Sequence, residues 1–351
     1  MDKSKIGYAV LGLGIGMAHA DAAYASSHAR LVAVCDCDEE KIQKALKRYE
    51  NIKAYASATE LFADDEVDVI SICLPSGMHA EYAIQAMEAG KHVLIEKPID
   101  ILPSQAHLIE ETRIRTGKKV GVVHQNRFNC NMYPIKDAID SGRLGRLILG
   151  TFAVKWYREQ AYYDRGGWRG TWDMDGGGSL INQAIHTVDL MQWLMGDVES
   201  VTSTMDICNH EIETEDLTAS LIKFKNGATA TFVSTTCAYP GISTEICLYG
   251  TGGSVEADAD VLKLWKMRDA ADEDDEEAKM LSIYGNGNIG YPQLHEPLIF
   301  GHAHVVEDMI MAVRDDRDPE ISPVEATKSL AIIHAIYQSA KTHQTVYLDG
   351  K

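Results

Sequence analysis

The sequence predicts an α/β Rossmann domain followed by an α+β domain with a large, mostly antiparallel open sheet. Three observations carry that expectation. Apolar strands alternate with helical stretches through the first third of the chain, the pattern of a parallel sheet with crossover helices. A glycine cluster, Gly12-Leu13-Gly14-Ile15-Gly16, sits at the first strand-to-helix junction. Beyond Met195 the pattern changes to successive strand-like runs with short turns, at 201–208, 217–224, 227–236, 244–249 and 253–257. Such runs pair antiparallel, and Asn226-Gly227 is a strong hairpin turn between two of them. The division is expected at 1–125 for a dinucleotide-binding domain and 126–351 for a second, α+β domain. A C-terminal helix of the latter can pack back on the former.

The bulk composition restricts the function. At 351 residues, 45% hydrophobic and 24% charged, the chain can build two separate cores. A formal net charge of −19 argues against nucleic acid and against anionic membranes as partners. No apolar run approaches the length of a membrane span. The brief run Ile6–Leu13 is punctuated by glycine and lacks the pattern of a signal peptide. Seven scattered cysteines, with no CxxC pair, read as reduced thiols of a cytoplasmic protein, and no metal site is expected.

The first strand runs from Lys5 to Leu11, and a helical pattern follows from Met17 to Ser26. Gly12, Gly14, Ile15 and Gly16 lie between them. Glycines let the backbone approach a pyrophosphate, and a helix N-terminus offers free N–H groups and a favourable dipole. The spacing is GxGxG followed by Met17 rather than GxGxxG, so a turn that only lets helix and strand pack is the alternative. The next strand, Leu31–Cys35, closes on Asp36. An acid about 20 residues beyond the turn can accept both ribose hydroxyls. No arginine follows it, and a carboxylate repels a 2′-phosphate, so NAD is favoured over NADP.

Helices are expected at Glu39–Tyr49, Thr59–Ala63, Ser76–Ala89 and Ser104–Thr116, with strands at Val67–Leu74 and Val120–Val123. In an open α/β sheet, ligands bind at the carboxyl ends of the strands. That rule makes Leu74, Pro75, Glu96, Lys97 and Gln125 cofactor candidates. His79 joins them, with capping or decoration of its helix as the alternative. The run His92-Val93-Leu94-Ile95-Glu96-Lys97-Pro98 is the most pointed of these. Proline ends the strand abruptly and leaves Lys97 at its carboxyl end.

In the second part, Tyr133–Ser141 reads as a helix and Leu147–Tyr157 as a long strand. The informative stretch is Trp168-Arg169-Gly170-Thr171-Trp172, then Asp175-Gly176-Gly177-Gly178-Ser179, then a helix from Leu180 to Met195. Asn182, His186, Asp189 and Trp193 fall on one face of that helix, and Ile181, Ile185 and Val188 on another. A polar stripe opposite a core stripe suits a helix lining a cleft. The alternative is a solvent-facing helix whose His186 is held by Asp189. Indole rings suit sugar faces, so Trp168 and Trp172 point to carbohydrate or to the core. Arg127, Arg158, Arg165 and Arg169 are candidates for gripping a carboxylate or phosphate, because guanidinium matches both bidentately. Tyr157, Tyr162 and Tyr163 can line the same cleft. The run Asp269–Glu277 is expected to be an acidic solvated loop. Two helices, 303–315 and 323–342, close the chain.

Glu96-Lys97-Pro98 behind a dinucleotide domain, followed by Gly176-Gly177-Gly178, Asn182 and His186 in a GGG-x-x-x-N-x-x-x-H pattern, resembles the Gfo/Idh/MocA family of oxidoreductases over essentially the whole chain. Trp168–Trp172 with Asn182–His186 is similar to members that oxidise C3 of a pyranose, the UDP-N-acetylglucosaminuronate 3-dehydrogenases and glycoside 3-dehydrogenases. The resemblance implies NAD, substrate binding and oligomerisation by the 126–351 domain, a homo-oligomer using the C-terminal sheet, a catalytic lysine at Lys97 and a catalytic histidine at His186. Many members carry aspartate where this chain has Asn182, which weighs against the inositol-dehydrogenase subtype. The expected reaction is NAD-dependent oxidation of a sugar hydroxyl, at C3 of a hexopyranose in a glycoside or UDP-hexosaminuronate. Histidine, with an ordinary pKa of about 6.5, suits a base near neutrality better than lysine at about 10.4. His186 is therefore the leading proton acceptor, Lys97 polarises the hydroxyl, and the reverse assignment stays open. Asn182 hydrogen-bonds a neighbouring hydroxyl. The alternatives are an inositol or polyol dehydrogenase, and a non-catalytic NAD-binding sugar sensor.

Overall fold

A computed structural model of the chain describes residues 5–286 and 297–348. It consists of two compact units, one from residues 1–125 and 296–327, the other from residues 126–295 and 328–351. The chain thus returns to the first unit near its C-terminal end.

The first unit is a parallel sheet with crossover helices: β1 (Ile6–Leu11), α1 (Gly16–Ala25), β2 (Ala29–Cys35), α2 (Glu39–Arg48), β3 (Lys53–Tyr55), α3 (Ala58–Phe62), β4 (Val69–Ile72), α4 (His79–Glu88), β5 (His92–Ile95), α5 (Pro103–Thr116) and β6 (Val120–Val122). Its order is β3-β2-β1-β4-β5-β6, with every pairing parallel. The central strands read as unbroken apolar runs because both faces are covered, and all four residues of β4 are buried. β3 has no counterpart in the sequence reading. Three residues at a sheet edge are too few to show a period.

The second unit begins with α6 (Met132–Asp140), β7 (Leu147–Lys155) and the short α7 (Gln160–Tyr163). A π-helical turn over Ser179–Ala184 leads into α8 (Ile185–Met195). Then come β8 (Val198–Asp206), β9 (Leu217–Phe224), β10 (Thr229–Thr235), β11 (Ser243–Gly250), β12 (Gly253–Asp258), β13 (Val261–Met267), α9 (Glu273–Tyr284), α10 (Pro297–Arg314), α11 (Pro323–Thr342) and β14 (Val346–Tyr347). The sheet order is β13-β12-β11-β7-β10-β9-β8-β14. Only the β7–β10 pairing is parallel. α10 belongs to the first unit, where it packs against α1.

The hairpin at Asn226-Gly227 forms as expected. Gly227 adopts φ +87°, and the Asn226 side chain accepts the Ala228 N–H at 3.0 Å. Two expectations need correction. The acidic run is a helix rather than a loop over most of its length. Asp272 caps α9 by accepting the N–H groups of Asp274 and Asp275, and carboxylates in a first turn complement the helix dipole. The charge is answered from outside the run: Arg143 binds Asp269 and Glu276, and Lys266 binds Asp274 and Glu277. The helix expected from Leu180 opens instead with the π turn, whose first N–H, from Ser179, is drawn off to the Glu215 carbonyl at 3.0 Å.

Candidate active site

In the first unit the glycine turn is built by contact. Gly12 adopts φ +94°, and a Cβ there would lie 2.3 Å from the Cys73 carbonyl oxygen. A Cβ on Gly16 would lie 2.7 Å from Val10 Cγ1, so α1 needs glycine to sit against β1. Gly14 is different, because its Cβ would meet nothing within 4 Å. Gly14 and the half-exposed Ile15 therefore form an open cradle of backbone before the first turn of α1; their carbonyls accept the Met17 and Ala18 N–H groups, and the N–H groups that lead a helix lack intrahelical partners. Asp36 ends β2 and accepts the Leu13 N–H at 2.7 Å, which fastens the turn. It also accepts from the Asp38 N–H at 2.9 Å and from Lys41 at 3.3 Å. Burial pushes its carboxyl up, but those backbone donors and Lys41 outweigh burial and hold it below its ordinary value. An open backbone cradle with an ionised acid at the end of the next strand fits the pyrophosphate and ribose of NAD.

His79 is fully buried rather than on the helix surface. Its Nδ1 lies 2.7 Å from the Pro98 carbonyl oxygen and its Nε2 2.9 Å from that of Leu74. It ties the Leu74-Pro75 strand end to the loop carrying Lys97. Asp100 anchors the same place by accepting the Ala80 and Leu102 N–H groups. Lys97 is half-buried beyond the end of β5, and its peptide to Pro98 is cis. Glu96 is buried; its Oε2 accepts the Lys97 N–H at 3.0 Å, and its Oε1 lies 3.1 Å from His19 Nε2. Gln125, half-buried, opens a helical turn just past β6.

In the second unit the structure gathers part of the predicted set. Arg158 gives an Nη2–H to Gln183 Oε1 at 2.7 Å. Its guanidinium lies over the rings of Trp156 and Tyr162, at 5.2 and 5.3 Å. Arg169 lies over Tyr162 at 5.0 Å and Trp168 at 4.6 Å. Asn182 joins the group through Tyr162, whose hydroxyl is 3.4 Å from its Oδ1, and through Gln183 Nε2 at 2.7 Å. His186 follows one turn on in α8, half-buried. Both Arg158 Nε and Arg169 Nε are buried with no hydrogen-bond partner among the described residues.

Other candidates have partners of their own. Arg127 is buried and binds Asp189 through Nε and Nη2, each at 2.7 Å. Trp193 packs against it, at 5.5 Å. Tyr163 is a core residue, its hydroxyl 2.8 Å from Thr236 Oγ1, and burial pushes its phenol up. Its neighbour Tyr162 holds the place between the arginines. Trp172 gives its indole N–H to the Glu213 carbonyl at 3.1 Å and packs edge-on to Tyr337. Tyr157 packs against Tyr239, and Arg165 lies at the surface.

One buried group had no sequence signal. Glu215 Oε1 accepts the Gly178 and Leu180 N–H groups at 3.0 and 3.1 Å and the Tyr337 hydroxyl at 2.8 Å. Asp175, also buried, accepts the Gly170 N–H at 2.9 Å and the Asn182 side-chain amide. These two acids hold the GGG turn and aim Asn182. Two groups among the described residues bring His, Cys and carboxylate atoms together: His19, Glu96 and His302, and His210, Asp216 and Cys237. In both, hydrogen bonds already run from histidine to carboxylate. No described helix is long and apolar enough to cross a membrane.

Comparison with known proteins agrees with this anatomy. Residues 6–124 match the model of an oxidoreductase family with an NAD-binding Rossmann fold, and residues 134–256 match the GFO/IDH/MocA C-terminal domain. Among solved structures, the chain is 31% identical to the WlbA dehydrogenase of Bordetella pertussis in complex with NADH and UDP-GlcNAcA, covering 99% of both chains at a TM-score of 0.88. It is 28% identical to the myo-inositol 2-dehydrogenase of Thermotoga maritima over 71% of this chain and 74% of that protein. It is also 28% identical to the D-glucoside 3-dehydrogenase of Escherichia coli (strain K12) over 56% of each. A Rossmann unit with an open backbone cradle, a Glu-Lys-Pro strand end and a matched C-terminal domain lead to one assignment: the chain belongs to the Gfo/Idh/MocA family and is an NAD-dependent oxidoreductase.

Proposed function

We propose that this chain oxidises a secondary hydroxyl of a sugar bearing an anionic group, at C3 of the hexopyranose ring of a UDP-hexosaminuronate. The observation that carries the reading is the pair of guanidiniums, Arg158 and Arg169, stacked on Tyr162 beside Asn182. Each keeps a buried Nε–H without a partner, and an unpaired buried donor is costly until an acceptor arrives. A carboxylate or phosphate supplies such acceptors. The likeness to WlbA, solved with UDP-GlcNAcA, favours the nucleotide sugar. The likeness to a D-glucoside 3-dehydrogenase favours oxidation at C3.

Bound NAD supplies the hydride acceptor. His186 takes the hydroxyl proton, Asn182 orients a neighbouring hydroxyl, and Lys97 is the catalytic lysine that the family resemblance implies. Asn182 is itself oriented by Asp175 and Gln183, so its carbonyl and amide ends are not interchangeable.

A substrate panel followed by NADH absorbance tests the reading. UDP-N-acetylglucosaminuronate is expected to reduce the cofactor, with a simple glucoside and myo-inositol far slower. Lys97→Met and His186→Ala each lower kcat by about 100-fold or more while NADH still binds. Arg158→Met and Arg169→Met each raise KM for the anionic sugar by about 10-fold or more. Faster turnover of myo-inositol, the substrate named for the Thermotoga maritima relative, would select the polyol reading. Normal turnover in either Lys97→Met or His186→Ala would remove that residue from the chemistry.

A further inference from the structure

Behind the Lys97 loop lies a line of buried polar groups, all within the first unit. Glu96 is 4% exposed. Its Oε1 faces His19 Nε2 at 3.1 Å and His302 Nε2 at 3.2 Å, and its Oε2 accepts the Lys97 N–H at 3.0 Å. His19 Nδ1 lies 2.9 Å from Ser71 Oγ, and Ser71 Oγ lies 2.6 Å from the Tyr8 hydroxyl. His19, Ser71 and Tyr8 are fully buried and His302 nearly so.

The protons in this line have one order. Burial pushes Glu96 up, but the His19 and His302 hydrogen bonds outweigh it and leave the group well below its ordinary value, so it is a carboxylate. A carboxylate only accepts, so both histidine nitrogens facing it carry hydrogen. Burial lowers His19, which is therefore neutral near pH 7 with its proton on Nε2. Its Nδ1 must then accept, so Ser71 donates to it. Ser71 in turn accepts from Tyr8. Every donor points towards Glu96, whose free oxygen holds the backbone of Lys97.

The line also joins segments. His19 sits on α1, directly behind the glycine cradle; Ser71 is on β4; Glu96 ends β5; and His302 is on α10. We propose that Glu96 is a positioning residue for Lys97, and that His19, His302, Ser71 and Tyr8 form a directional hydrogen-bond chain coupling the cofactor-binding helix to the lysine loop. The proposal rests on the role given to Lys97 above. Its consequence is that an error in this chain acts on turnover rather than on binding.

The decisive variant is Glu96→Gln. Its size is nearly unchanged, but three N–H groups converge there and an amide has only one acceptor atom, with an NH2 at the other. One donor must then turn away. A displacement on the order of 1 Å at a reacting group costs about 100-fold in rate. The expected result with the NAD-loaded enzyme is a 10- to 100-fold fall in kcat, on the order given by that displacement, with KM and the NADH Kd within about threefold. Ser71→Ala is expected to give a smaller fall in kcat, because it removes only the donor to His19. Tyr8→Phe gives the smallest, because Ser71 keeps its proton for His19. Lys97→Met separates the two ideas. Inactivity of Lys97→Met with kcat of Glu96→Gln and Ser71→Ala within about twofold of wild type would overturn the positioning role and leave the role of Lys97 intact. A lowered melting temperature with unchanged kcat in both variants would overturn it equally. Full turnover by Lys97→Met would overturn both.

Discussion

Gly12 and Gly14 are both part of one predicted motif, yet they answer to different constraints. Gly12 needs its left-handed backbone and the absence of a Cβ against the Cys73 carbonyl. Gly12→Ala is therefore expected to destabilise the fold by about 1–3 kcal/mol, read as a lower midpoint in a urea melt. Gly14 has no protein neighbour within 4 Å of its Cβ position. Gly14→Ala is expected to melt within about 0.5 kcal/mol of wild type, while its NADH Kd, measured by fluorescence titration, rises by about 10-fold or more because the methyl stands where the pyrophosphate approaches. Equal binding in Gly14→Ala would mean that the cofactor does not use this cradle. At this scale the sequence is readable where a residue's own backbone sets its role, as at Gly12 and at Lys97 before Pro98. Arg127 is the opposite case. Its side chain answers to Asp189, 62 positions away, and no local spacing distinguishes a guanidinium held by a distant carboxylate from one waiting for substrate.

Elements were legible in proportion to their length and regularity. α2, β7 and β9 follow from unbroken periods, whereas β3 is too short and β13 has its apolar residues interrupted by Lys263 and Lys266. The opening of the helix before α8 is the instructive failure. Its pattern is helical throughout, but Glu215, from the turn before β9, takes the Gly178 and Leu180 N–H groups and shapes the π turn. That carboxyl is pushed by burial up to about 7, with the Leu180 N–H and the Tyr337 hydroxyl only partly offsetting burial. The sign of the linkage follows. Below about pH 4.5 the group is protonated in both the folded and unfolded chain and nothing is lost. As pH rises towards 7 the unfolded chain releases a proton that the folded chain retains, and stability falls until the folded group also ionises. The loss from this one group is on the order of 3 kcal/mol. Urea melts at pH 5 and pH 8 are expected to show a stability drop in wild type that is smaller by about that amount in Glu215→Gln. An identical drop in both proteins would show that Glu215 ionises at its ordinary value when folded.

At the scale of the whole molecule, the two-part order of the chain was visible because hydrophobic pattern changes with sheet type. Parallel strands covered on both faces read as runs, and strands with one covered face read as alternation. β9 shows the latter, with Phe224, Ile222, Ser220 and Thr218 buried and Lys223, Leu221 and Ala219 exposed between them. Pairing order was not visible, since β7 lies between β10 and β11, far ahead of both in sequence. Among the described residues, the same alternation puts exposed side chains along one face of the middle strands of the eight-stranded sheet. Leu221 is 49% exposed and stands across from Thr231, which in turn stands across from Thr151, and Thr151 from Cys247. Leu149, 39% exposed, stands across from Tyr249 on the same sheet. Neutral and apolar side chains hold the middle of this surface, with Lys223, Glu256 and the Lys155–Glu245 pair around them, in a protein whose net charge is −19, and charge is what a surface meant for water normally shows. We propose that a second copy of the chain covers this face. Leu221→Asp separates the possibilities. On a face left in water the substitution costs less than about 0.5 kcal/mol and changes no mass. Under a second copy it places a carboxylate without a partner in a desolvated contact, at a cost of several kcal/mol. Light scattering after size exclusion is then expected to give a multiple of the chain mass for wild type and a smaller particle for the variant. A wild-type protein running as a single chain at micromolar concentration would assign the face to solvent.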